Sequence, residues 1–189
     1  MKITIFIRQV LPFLFLYSVM IFVTIILDYI LHYFNLVFIG RYLGPIGTIT
    51  IVISFVYSLR KRKFIQSGSP KILLKMHEYL AWIGSVLILV HAGVHLNAIL
   101  PWLAIILLLI NVASGLVGKY LLKNASIALS SNRQELIKSG ISIEDVDKKL
   151  FFDTITVYAM KKWRVVHLPI SYTLGILSLL HIITIFIFS

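Results

Sequence analysis

The chain contains no cysteine among its 189 residues. That absence excludes disulfides, thiolate metal sites, iron–sulfur ligation and the covalent attachment of a c-type haem. Any metal or prosthetic group must be held by histidine, methionine, carboxylate or backbone donors. Acidic residues are scarce, seven Asp+Glu against 18 Lys+Arg, and charged residues of both signs make up only 13% of the chain. With 59% hydrophobic residues and a mean hydropathy of +0.97, a disordered, fibrous or ordinary water-soluble domain is excluded.

What the chain has instead is long apolar runs. Five approach or exceed the roughly 20 apolar residues that a helix needs to cross a bilayer. They lie at about 10–34, 43–59, 73–96, 102–120 and 165–188. The expected fold class is all-α, an integral membrane bundle of five transmembrane helices forming a single domain over 1–189. Lys2 and Arg8 precede the first run as they would in a signal peptide. The run is too long for a signal's apolar segment and no small-residue cleavage site follows it, so a retained helix is expected.

The basic residues predict an orientation. Lys2 and Arg8 precede the first span. Arg60, Lys61, Arg62, Lys63, Lys71 and Lys75 border the second and third. Lys119, Lys123, Arg133, Lys138, Lys148, Lys149, Lys161, Lys162 and Arg164 separate the fourth from the fifth. These are 17 of the 18 basic residues on one side, with Arg41 alone on the other. The positive-inside bias then puts the amino terminus and both basic loops in the cytoplasm and the carboxyl terminus outside, in the inner (plasma) membrane. Topogenesis and anionic lipid headgroups account for the formal charge of +11. Membrane lipid, and no nucleic acid, is the expected partner.

The one long polar region is the expected cytoplasmic loop, 124–162. Asn132 could cap a short helix stopping at Gly140, and Ser142 with Asp145 resembles a capping box opening a second helix toward Trp163. Ile143, Val146, Leu150 and Phe151 recur at helical spacing. The region reads as a solvated connector packed on the bundle, with contact to the membrane or a partner as the alternative.

Six histidines remain: His32, His77, His91, His95, His167 and His181. Imidazole inside hydrocarbon requires a hydrogen bond or a metal, which makes each one a functional candidate. His77 and His91 are 14 residues apart on the third span, as are His167 and His181 on the fifth. At ~100° and 1.5 Å per residue, 14 steps fall about 40° short of four turns and rise about 21 Å. Each pair therefore lies on one helix face at two depths. Spans three and five run in the same direction, which sets His77 level with His167 and His91 level with His181. Paired imidazoles at one depth are what bis-His ligation of a haem iron requires, and the spacing supplies the pairing twice.

Gly84, Ser85, Ala92, Gly93, Gly175 and Ser178 are small residues available for close approach to a porphyrin. A zinc site would need three or four convergent ligands, with His95 and His32 the only ones left to complete the outer pair. His95 follows His77 by 18 residues, five full turns, and could replace His91 as the outer ligand or hydrogen-bond a propionate or substrate. Structural histidines joined by interhelical hydrogen bonds are the remaining reading.

The order Gly40, Arg41, Gly44, an apolar span, a basic linker, a span with His77 and His91, another span, and a span with His167 and His181 resembles the ferric-reductase-like transmembrane domain. The resemblance covers roughly Gly40 to the end of the fifth span. Small di-haem cytochrome b subunits are similar in outline. The resemblance implies two b-type haems carrying electrons across the membrane, with His77, His91, His167 and His181 matching the ligand positions. Two departures stand out. Many relatives have Pro after the second ligand, where this chain has Ala92, and no flavin or nicotinamide domain follows the fifth span. Electrons are therefore expected from quinol or a partner, and the expected acceptor is another redox subunit, such as a multihaem cytochrome or a periplasmic oxidoreductase.

For a quinone site the candidate proton acceptors and anchors are Glu78, Asp28, His32 and Arg41. Arg164 and Lys162, just before His167, could pair with propionates of the inner haem. Tyr79 and Tyr172 could pack on that porphyrin. Two other functions stay open: a non-redox membrane anchor or transporter with structural or proton-relay histidines, and a direct ferric reductase.

Overall fold

The computed structural model describes residues 2–94, 99–117 and 123–188, with side chains except at 2–10, 94, 123, 124, 159, 160, 163, 164 and 188. It is 89% helical, and among the described residues there is no strand. The helices are α1 (Lys2–Tyr33), α2 (Val37–Ser54), α3 (Val56–Lys61), α4 (Pro70–Val94), α5 (Ile99–Leu116), α6 (Lys123–Lys138), α7 (Ile143–Lys149) and α8 (Phe151–Phe188). Five stretches are long and apolar enough to cross a membrane: Leu11–Tyr33, Val37–Lys61, Pro70–Gly93, Ile99–Leu116 and Val165–Ile187. The chain is a multi-pass membrane protein. Phe15, Phe22, Ile49, Ile106 and Phe186 stand exposed along these stretches. Hydrocarbon solvates such side chains where water would oppose them, so these faces meet lipid.

Three helices end in the same way. Asn35 (φ 55°), Lys63 (φ 64°) and Gly140 (φ 81°) adopt the left-handed conformation after α1, α3 and α6. After α1, the Asn35 amide donates to the His32 carbonyl and the Leu36 amide to the Leu31 carbonyl. The same pair of bonds recurs at Lys63–Phe64 and at Gly140–Ile141. This is the Schellman arrangement, which satisfies carbonyls that the helix end leaves without partners. Gly140 is legible as a stop because glycine adopts positive φ without steric cost. Asn35 is a weaker signal of the same kind, since asparagine tolerates this conformation better than other residues with side chains, and Lys63 carries none.

Element boundaries depart from the expected ones in three places. The second span begins at Val37 rather than near residue 43, because Gly40, Arg41 and Gly44 lie inside α2, where Gly40 and Gly44 are buried. Helix α6 begins at Lys123, so Asn132 is interior and caps nothing. The second helix of the loop stops at Lys149, and α8 then runs without a break from Phe151 through the whole fifth span. Half of the capping box is present: the Ser142 hydroxyl accepts from the Asp145 amide at 3.3 Å, and the Asp145 carboxylate accepts from that hydroxyl at 2.7 Å, where the full box would have it accept from the Ser142 amide. Ser142→Ala is expected to weaken α7 by about 1 kcal/mol, read as faster hydrogen exchange of the first-turn amides of α7.

Contacts group the chain into two units. One comprises Met1–Tyr17 and Ala113–Tyr172, the other Ser18–Val112 and Thr173–Ser189. In the first unit α6 packs on α7, with an Arg133–Asp147 ion pair at 2.8 Å and Val146, Leu150 and Val157 buried. In the second, α2 lies along α4 and α3 packs beside it. Buried there are Met20, Val86, Leu89, Val90 and Leu108.

Candidate functional site

The α2–α4 pair is built around two glycines. A Cβ added to Gly47 would lie 2.9 Å from the Gly84 carbonyl oxygen, and one added to Gly84 would lie 2.9 Å from the Gly47 carbonyl oxygen. Only residues without side chains allow two helix backbones to meet this closely. Gly84, expected to make room for a porphyrin, makes room for α2 instead.

The residues on either side of that contact are spaced symmetrically in sequence. Gly47 stands midway between Gly40 and Ser54, and Gly84 midway between His77 and His91. At one end the His91 Nδ1 donates to the Gly40 carbonyl at 2.8 Å, and at the other the His77 Nδ1 donates to the Ser54 carbonyl at 3.1 Å. The 14-residue interval on α4 is matched by 14 residues of antiparallel α2. Both imidazoles are thereby held by main-chain acceptors, which places the ring proton on Nδ1 and the basic lone pair on Nε2.

Each ring has a further constraint. His91 lies flat against Gly44, where an added Cβ would come within 2.7–2.8 Å of Cδ2, Cγ and Nε2. His77 stacks on Tyr57 of α3, with ring centroids 5.7 Å apart and planes 29° from parallel.

His91 shares a cleft with His181. Its walls are Ile88 and Ala92 of α4, Thr48 of α2, Pro101 and Ile105 of α5, and Ser178 and Ile182 of α8. The cleft is mainly apolar, is open on one side and encloses a void of about 70 Å³. Ala92 and Ser178, two of the small residues picked out for close approach, line this cleft, whereas a Cβ on Gly175 would meet nothing within 4 Å.

His167 belongs to the other unit. Its Nδ1 is hydrogen-bonded to the buried hydroxyl of Ser114 on α5, and Gly115 lies beside its Cε1. The ring is thus held at Nδ1 by a neighbouring helix, as His77 and His91 are.

His95 and the Arg164 side chain lie outside the described residues. The Lys162 ammonium sits 5.0 Å over the Tyr158 ring, and Tyr79, Tyr172 and Arg41 are exposed. Glu78 is half-buried on α4. Among the described residues, no three of His, Cys, Asp and Glu converge as metal ligands.

The spacing argument does not reveal Ser114, Tyr57, Gly44 or the two carbonyl acceptors. Only the small residues Gly40, Gly44 and Gly47 hint that α2 approaches another helix closely. Comparisons with protein-family models, with curated proteins and with solved structures find no match to this chain.

Proposed function

We propose that the chain is a di-haem b-type cytochrome subunit that carries electrons across the membrane between a quinol or partner donor and a partner acceptor. The observation that carries this reading is His91 and His181 lining one apolar cleft, with the His91 Nδ1 bonded to a carbonyl of α2. Histidines that ligate iron commonly donate their other ring N–H to a carbonyl, which fixes the ring and raises its basicity.

The donor set fits the group. His91 and His181 would hold the outer haem, and the apolar walls of Ile88, Ile105 and Ile182 exclude water around it. A tetrapyrrole is bulkier than the void, so loading must widen the cleft. His77 and His167 would hold the inner haem, an assignment resting on the equal 14-residue intervals and on the Nδ1 anchoring that each ring has within its own unit. Bound haem would supply reversible one-electron exchange, and two imidazole ligands favour electron transfer over oxygen binding. The basic loops put the amino terminus in the cytoplasm, with the outer pair on the far side of the inner (plasma) membrane.

The test is haem stoichiometry by pyridine haemochrome on protein purified from haem-replete cells. Two haems per chain are expected. A colourless preparation overturns the reading and favours its rival, a non-redox membrane protein whose histidines hold helices together. The hydrogen bond that already anchors each of His77, His91 and His167 is the observation on that rival's side.

A further inference from the structure

Helix α8 runs for 38 residues, and its two sides differ. Among its described side chains Val157, Ser171 and Leu174 are buried, and His167 and His181 fall on that same face. The opposite side carries an exposed stripe whose members are spaced alternately four and three residues apart: Phe151, Ile155, Tyr158, Lys162, Val165, Pro169 and Tyr172. The same intervals continue at Ile176, Leu179 and Ile183, which are also exposed. Lys162 alone among these is charged. A mean spacing of 3.5 residues is that of the seam between paired helices.

Inside the apolar span, which begins at Val165, lipid can cover such a stripe. Beyond it lipid cannot. Phe151 lies 14 residues before Val165 and Ile155 lies ten, about 21 and 15 Å along the helix. The interfacial layer on either side of the hydrocarbon is only roughly 5–8 Å deep. Phe151, 55% exposed, and Ile155, 48% exposed, therefore stand in water, which opposes them. A soluble protein could cover only the outer part of the stripe and lipid only the inner part. A second helix that makes the same crossing covers all of it.

We propose that this stripe is the seam of a parallel two-helix coiled coil between the α8 helices of two copies of the chain. Copies inserted in one bilayer share an orientation, so a two-fold axis along the membrane normal sets the same residues face to face. The residue types fit two strands. With Phe151, Tyr158, Val165, Tyr172 and Leu179 at the d positions, the a positions include Ile155, Ile176 and Ile183, and β-branched residues at a favour dimers. A single polar residue at a, here Lys162, fixes register and strand number at some cost in stability. The Tyr158 ring, 5.0 Å from the Lys162 ammonium, offsets part of that cost. His167 and His181 face away from the seam, so pairing is independent of whether haem binds.

Because the chain has no cysteine, each position can be read with one introduced thiol. Single-cysteine variants of the full chain, purified and placed in proteoliposomes, are oxidised with copper phenanthroline. Ile155→Cys and Tyr158→Cys should become covalent dimers, since the two-fold axis sets each within disulfide reach of its own copy. Asp153→Cys, exposed on the far side of the helix, should stay monomeric. Photobleaching of singly labelled wild-type chain in dilute liposomes should count two copies per particle. Phe151→Glu combined with Ile155→Glu should weaken self-association by at least about tenfold, because it puts charges into the seam. Both side chains are exposed in the single chain, so its helical circular dichroism should not change. A monomeric wild-type protein would leave the stripe to lipid or to a different membrane-spanning partner and overturns the proposal. Equal cross-linking of Asp153→Cys and Ile155→Cys, or dimers that the two glutamates do not weaken, overturns it as well.

Discussion

Replacing Gly47 by Leu is expected to force α2 away from α4 and to release both α4 histidines together. A Cβ at this position meets Ile88 Cγ1 at 2.8 Å, the Gly84 carbonyl oxygen at 2.9 Å and Leu87 Cβ at 3.0 Å. Two of these three atoms are main chain or the root of a side chain and cannot swing aside, so the helix must move. Overpacking of this kind costs about 1–3 kcal/mol. The effect here is larger than on an ordinary core because the Gly40–His91 and Ser54–His77 bonds both depend on the same interhelical distance.

Thermal unfolding in detergent should fall by several degrees. Nitrogen-15 spectra of labelled histidine should lose the fixed Nδ1-protonated tautomer at both positions. If haem is bound, both haems should be lost. Two comparisons isolate the cause. Gly175→Ala, whose Cβ meets nothing within 4 Å, should be close to neutral. Gly44→Ala should disturb His91 alone, since the atoms it strikes belong to that ring, which can tilt off the Gly40 carbonyl. A Gly47→Leu protein with unchanged melting and unchanged histidine spectra would show that the glycine contact does not hold these helices together.

The second large effect concerns pairing. If the two proposed haems are bound, His91→Ala, His181→Ala and the double variant should each lose one haem of two, with the double no worse than either single. Two groups that hold one ligand act as a unit, so removing the second after the first costs little. His77→Ala combined with His91→Ala should instead lose both haems, because the 14-residue interval separates them by about 21 Å along α4. Measured haemochrome content decides between these patterns. Additive loss in His91→Ala with His181→Ala would mean that the two rings serve different haems, and the level-by-level pairing would be wrong.

Much of the architecture is one-dimensional information. Lipid offers the backbone no hydrogen bonds, so a span must be a helix that satisfies itself, and about 20 apolar residues in a row locate it. All five spans were legible for that reason. The misplaced start of α2 has a related cause. Gly40, Arg41 and Gly44 lower local hydropathy and look like a loop, yet Gly40 and Gly44 are buried helix-interface positions. Hydropathy cannot distinguish a glycine that ends a helix from one that lets another helix approach.

The candidate site divides in the same way. Histidine type and interval are properties of the string, and the 3.6-residue turn converts 14 steps into one face at two depths without any knowledge of neighbours. The partners of those rings are not such properties. The acceptors of His77 and His91 are carbonyls, which every residue carries, so nothing in the string distinguishes Gly40 or Ser54 as an acceptor. Ser114 is one of many serines until α5 brings it to His167. The sequence by itself determined a five-span helical membrane protein and which histidines share a face. Tertiary structure alone decided that glycine contact sets the α2–α4 distance, that this distance delivers two carbonyls to two imidazoles, and that His91 and His181 open onto one cleft. Patterns along a single helix follow from its own geometry, whereas the contacts between helices depend on how their surfaces fit.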